Sequence, residues 1–168
     1  EGPSVGAQNL AACNSYMIRQ QIGQFLYVVD RAVGEVVVFN SNNFRIIDRI
    51  RTPDPTRIAI SPNLNFLVVT NQRADQVSFI DVDPGSTTFH EIVKTTIVGS
   101  GPTEVVWESS NEDIFVCNEG DGTVTIVSSF NLESRKILRN QISRPIAVVT
   151  TPRQISFGLF RGVYFAYI

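Results

Sequence analysis

Histidine, tryptophan and methionine each occur once in these 168 residues, and cysteine and lysine only twice. Each scarcity removes a class of chemistry. A single His90 cannot supply the imidazole ligands that haem and copper centres most often use, so no cofactor is expected. Cys13 and Cys117 have neither metal nor redox spacing. They fall two repeats apart on different strands, which is too far for a disulfide, so free, buried thiols are expected. Lys94 and Lys136 stand beside twelve arginines, and the net charge is −2. Such a balance gives no field for nucleic acid or an anionic membrane. The most apolar run, 155–168, is shorter than the roughly 18–20 residues of a spanning helix and carries Arg161 and two glycines, so no membrane insertion is expected. No segment sustains a helical stripe. The chain opens Glu1-Gly2-Pro3 without Met, as a processed product or a piece of something longer would.

What remains is strand alternation, written several times over. Phe25–Asp30, Phe66–Asn71 and Asp113–Asn118 are equivalent segments whose polar ends lie 41 and 47 residues apart. A second alternating strand follows each, then a third, then a strand led by Pro55, Pro102 or Pro145. At 43% apolar and 18% charged, the composition is that of one globular domain. A four-strand unit repeating every 40–50 residues or so is the sequence signature of propeller blades. Strands are expected at 25–30, 35–40, 44–51 and 57–61, then at 65–71, 76–82, 88–97 and 104–108. The third set is 113–118, 123–128, 134–139 and 146–151, with a last strand near 162–168. Asp121-Gly122 and Asp83-Pro84-Gly85-Ser86 provide turn chemistry between them. Each repeated Pro stands where a strand begins, so its missing N–H costs no ladder bond.

The fold expected is therefore an all-β propeller of four-stranded antiparallel blades, with about three and a half blades in this chain. Residues 1–24 would supply an inner strand of blade 1 (near 8–14), and the repeats would fill 25–168. Blade 1 runs to about 51, blade 2 over 56–97, blade 3 over 103–139, and a fourth starts over 145–168. Known propellers close with four to eight blades. The partners expected are thus the remaining blades, from the same longer protein or from a second chain.

These residues resemble the YVTN-type β-propeller repeat family, which includes lactonase-like and surface-layer-type propellers. Phe66–Asn71 followed by Gln76-Val77-Ser78-Phe79-Ile80-Asp81 is the nearest copy of its motif. Val36–Asn40 and Val124–Ser128 are looser ones. The Ser61-Pro62-Asn63 turn and the Gly99-Ser100-Gly101-Pro102 segment also match. The resemblance implies a seven-bladed ring, about half of it here, and a periplasmic or extracellular location. It also implies that the Pro-led strands line a channel and that binding occupies one channel face. That face would carry Arg31, Arg57, Arg73, Glu104, Glu119 and Arg144 as a mixed-charge rim. The function expected is a non-catalytic scaffold or binding module whose rim takes a protein or a small polar ligand. The alternative is a lactonase-like hydrolase, with Glu104 or Glu119 as base and Arg57, Arg73 or Arg144 stabilising the oxyanion. No catalytic residue and no metal ligand is assigned. Asp81-Val82-Asp83 is read as a turn, Glu119–Gly122 as a hairpin, Trp107 as inter-blade packing and His90 as a surface residue.

Overall fold

The computed structural model of the chain describes residues 25–152, 155–157, 159–163 and 165–168. The strand expected at 8–14 and Cys13 lie outside the described residues. Three antiparallel sheets follow one another along the chain. The first is β1 (Phe25–Asp30), β2 (Glu35–Asn40) and β3 (Ile46–Arg51), in that order. The second is β4 (Pro55–Ile60), β5 (Phe66–Asn71), β6 (Gln76–Asp81) and β7 (Ile92–Ile97). The third is β8 (Pro102–Trp107), β9 (Asp113–Asn118), β10 (Thr123–Ser128) and β11 (Glu133–Leu138). Beyond them β12 (Val149–Thr150) pairs with β15 (Ala166–Tyr167), and β13 (Ile155–Phe157) pairs with β14 (Phe160–Val163).

The repeat extends to its irregularities. The outer strand pair of each sheet slips register at one place, between Val38 and Phe39, between Phe79 and Ile80, and between Ile126 and Val127. The loop before the middle strand ends in Gly34, Asp75 or Gly122, all with positive φ. Glycine takes that conformation without strain, and Asp tolerates it better than most residues. Gly122 has a second constraint, because a Cβ there would lie 2.7 Å from the Ser143 carbonyl oxygen.

Alternation along β5 explains why the sheets stack. Val68 joins Val77 and Phe79 in a core shared with Val105, Trp107, Ile114 and Val116 of the third sheet. Its neighbours Leu67 and Val69 project the other way, into a core with Val36, Val38 and Ile50 of the first. A strand apolar on both faces is one covered on both faces. Successive blades are therefore stacked, with Trp107 packed edge-on against Phe79 at 6.1 Å, as expected of an inter-blade residue.

Three strand expectations are corrected, the first being the inner strand placed at 146–151, which is only Val149–Thr150. The strand placed at 88–97 begins only at Ile92, because Asp81 organises a turn over the residues before it. Its carboxylate accepts from the Asp83 amide (2.9 Å) and the Thr88 hydroxyl (2.6 Å), and its carbonyl accepts from the His90 amide (2.8 Å). The strand placed at 162–168 is two shorter pieces, since β14 folds back on β13 and only Ala166–Tyr167 returns to the inner strand.

Candidate functional site

The loops before β4 and β8 share one end of the stack with the β1–β2, β5–β6 and β9–β10 connections. Backbone bonds knit them together. The Gln72 amide donates to Asp54 O (3.1 Å), and the equivalent Glu119 amide donates to Gly101 O (3.0 Å). Asp54 and Gly101 share positive φ. Beneath this layer Asn71 and Asn118 are fully buried and brace the hairpins. Asn71 donates through Nδ2 to Ser78 Oγ (2.8 Å), and Asn118 donates to the hydroxyls of Thr123 (3.0 Å) and Thr125 (2.9 Å). Both asparagines are thus structural braces below the rim.

The six rim residues do not converge on one point. Arg31 donates to Gln72 in the next blade. Arg57 on β4 meets Glu104 on β8 at 3.4 Å, again across a blade boundary. Glu119 and Arg144 form a third such pair, from the third blade to the segment that opens the fourth. Arg73 differs. It turns to Asp54 of its own blade, at 3.8 Å, with its side chain 86% exposed.

One pair lines a space. Glu119 and Arg144 border an open cleft of about 590 Å³, together with Gln72, Asp121, Ser143 and the Gly120–Gly122 backbone. Ser143 was not anticipated from the sequence, and no spacing signal distinguished it from an ordinary loop serine. Cys117, free and buried below, has its thiol pushed up to about 11 by burial and secondarily by Glu104, so it is no nucleophile.

His90 is not a surface residue. It is 8% exposed, in the β6–β7 connection at the opposite end of the stack. It stacks on Phe89 at 3.8 Å and meets Phe25 and Tyr27 edge-on. Its Nδ1 lies 3.3 Å from Asp48 and its Nε2 lies 3.2 Å from the Tyr27 hydroxyl. Burial lowers its pKa, against the opposing pull of Asp48 and Asp81. Tyr27 is raised, by burial first and then by the charge on Asp81. Alternation alone places His90 on an outer strand; the Asp81 turn carries it inward instead.

Among the described residues no group of His, Cys, Asp and Glu could hold a metal ion, and no helix is long and apolar enough to cross a membrane.

The sequence matches the family model described as lactonase, seven-bladed β-propeller, over residues 13–107. No curated protein matches it significantly. Among solved structures it resembles hydrazine synthase of Kuenenia stuttgartiensis at 18% identity and a TM-score of 0.68, covering 75% of this chain and 35% of that one. A functionally unknown protein from Desulfotomaculum acetoxidans DSM 771 gives 15% identity and a TM-score of 0.66, covering 77% and 41%. The dihydro-haem d1 dehydrogenase NirN gives 15% and 0.63, covering 74% and 27%. Identities this low show a shared fold alone. The match covers 35%, 27% and 41% of the length of these structures, so each extends well beyond it.

Proposed function

The chain belongs to the lactonase family of seven-bladed β-propellers, and from that premise we propose that it forms part of a binding module. Its channel-face cleft takes a small polar, hydroxyl-rich ligand without turning it over. The remaining blades come from the same longer protein or from a second chain.

The observation that carries this reading is the way the rim is paired. Glu104 and Glu119 are each bound to an arginine of the neighbouring blade, so each candidate base already has a cationic partner. The sequence's single histidine lies at the other end of the stack. What the cleft offers is a mixture of donors and acceptors: Arg144, Gln72 and Ser143 beside Glu119 and Asp121. Such a lining matches a sugar-like or hydroxy-acid ligand through hydrogen bonds. The rim residues act as orienting groups, with Arg31, Arg57 and Arg73 setting the loops around it.

The family's name favours a second reading, a lactone hydrolase. There Glu104 or Glu119 removes a proton from water while Arg57 or Arg144 steadies the oxyanion.

Titrating the isotope-labelled chain with a six-carbon sugar acid tests the first reading. Saturable amide shifts are expected at Gln72, Glu119–Gly122 and Ser143, weakened at least tenfold in Arg144→Ala. Shifts scattered over the surface, or insensitive to Arg144, would rule it out.

A further inference from the structure

Three equivalent residues end the inner strands: Ser61 after β4, Glu108 after β8 and Thr151 after β12. Each donates its amide to a carbonyl at the start of the strand it pairs with, from the first residue of β5 and β9, Phe66 (2.8 Å) and Asp113 (3.0 Å), and from the residue just before β15, Phe165 (3.0 Å). In two of the three a hydroxyl completes the turn. Ser61 Oγ accepts from the amides of Asn65 (3.1 Å) and Phe66 (2.9 Å), and Thr151 Oγ1 accepts from the amide of Phe165 (3.2 Å). In the third blade the position holds a carboxylate.

That carboxylate is poorly accommodated by the chain itself. Glu108 is only 5% exposed. One oxygen accepts from the Ser110 hydroxyl, while Oε1 is buried and meets no donor among the described residues. Asp113, where the second blade has Phe66, uses Oδ2 for Arg135 at 3.1 Å, and its buried Oδ1 likewise meets no donor. Burial raises the Asp113 pKa, opposed by Arg135 and reinforced by the charge of Glu108. A buried carboxylate oxygen without a donor is costly, and it is relieved either by a proton or by a nearby positive charge.

Space for one adjoins it. Glu108, Glu112, Asp113, Phe115, Thr150 and Phe165 line a pocket of about 150 Å³ between the third sheet and the β12–β15 pair. It lies at the end of the stack opposite the polar rim. Acidic oxygens beside the rings of Phe115 and Phe165 match an organic cation, whose charge the carboxylates neutralise and whose flank lies against the aromatic faces. A divalent metal is a poor fit, since no ligand set for one forms among the described residues.

We propose that this pocket, created where Glu108 replaces the hydroxyl of the repeat, binds a small organic monocation of the guanidinium or alkylammonium class. This site is independent of the rim cleft and does not rest on the function assigned to it.

Methylguanidinium is the probe, with neutral methylurea as its uncharged analogue and sodium chloride at matched ionic strength. Carboxylate carbon resonances of Glu108 and Asp113 are followed by NMR. Saturable shifts with methylguanidinium alone are expected. The Glu108→Ser variant restores the hydroxyl of the other blades, so it should melt no lower than the parent yet bind at least tenfold more weakly. Three results would overturn the proposal: shifts that sodium chloride reproduces, binding unchanged by Glu108→Ser, or a Glu108 carboxyl that stays protonated at pH 7 whatever the cation. Should Glu108→Ser misfold, Glu108→Gln, which keeps the shape and removes the charge, decides the matter through the same titration.

Discussion

Phe79 and Trp107 meet edge to face across the boundary between the second and third blades, ring centres 6.1 Å apart and planes at 85°. Phe79 is completely buried and Trp107 nearly so. Such a pair is stronger than its area alone, by about 0.5–1.5 kcal/mol. Phe79→Ala should therefore cost about 3–5 kcal/mol, as other buried Phe truncations do. Denaturant unfolding measures the loss, and Trp107 fluorescence should shift to longer wavelength as water reaches the indole. A cost below about 1 kcal/mol would mean that the blades do not pack through this contact.

Much of this was legible from the letters, because propeller blades repeat their errors as well as their rules. The four-strand repeat, the Asp121-Gly122 hairpin and the inter-blade Trp107 follow from period-two alternation and turn chemistry, whereas the burial of β5 on both faces emerges only from the stacking of the sheets. The Asp81 turn did not follow from the letters either, since it depends on a carboxylate meeting Thr88 and the amide of Asp83, and alternation carries no sign of that. Nor did the rim's division into separate pairs. Residues can be assigned to an end of the stack by strand order, but which arginine reaches which carboxylate depends on the angle between blades.

Acid should weaken the fold through His90. Its folded pKa lies below the ordinary 6.5, so between those two values the unfolded chain binds more protons. Stability is then lost as pH falls from about 6.5 through the folded value. Thermal melts between pH 7.5 and about 5 should show this slope, and His90→Gln should flatten it. Asp81 is separable. Burial raises its pKa, but hydrogen bonds from Ser86, Thr88 and the Asp83 amide, with His90, bring it below 3.8 overall. Its contribution is present above that value and lost only in stronger acid. An unchanged slope in His90→Gln would disprove the burial argument.

Gly99 is required for closeness. A Cβ there would lie 2.5 Å from Asn118 Nδ2 and press on Thr123 Oγ1 as well. Both belong to the buried brace below the rim, so neither yields freely. Gly99→Ala should cost about 1–3 kcal/mol, the range for overpacking a filled interior. Equilibrium unfolding of the variant checks this, and a neutral result would mean that the brace is loose.

Arg57 and Glu104 should couple only weakly. The Arg57 side chain is 61% exposed and that of Glu104 26%, so water screens the pair. A double-mutant cycle with Arg57→Ala and Glu104→Ala should give about 0.2–1 kcal/mol, diminishing in salt. Coupling well above that would indicate a desolvated pair of the kind a catalytic site uses.

The most direct test of the account is to hold the chain with a six-membered sugar lactone and observe ring opening and binding together by NMR. Binding without turnover predicts saturable shifts confined to the Glu119–Arg144 cleft and opening no faster than in buffer. Accelerated opening that disappears in Glu119→Gln or Glu104→Gln would contradict it and establish the hydrolase instead.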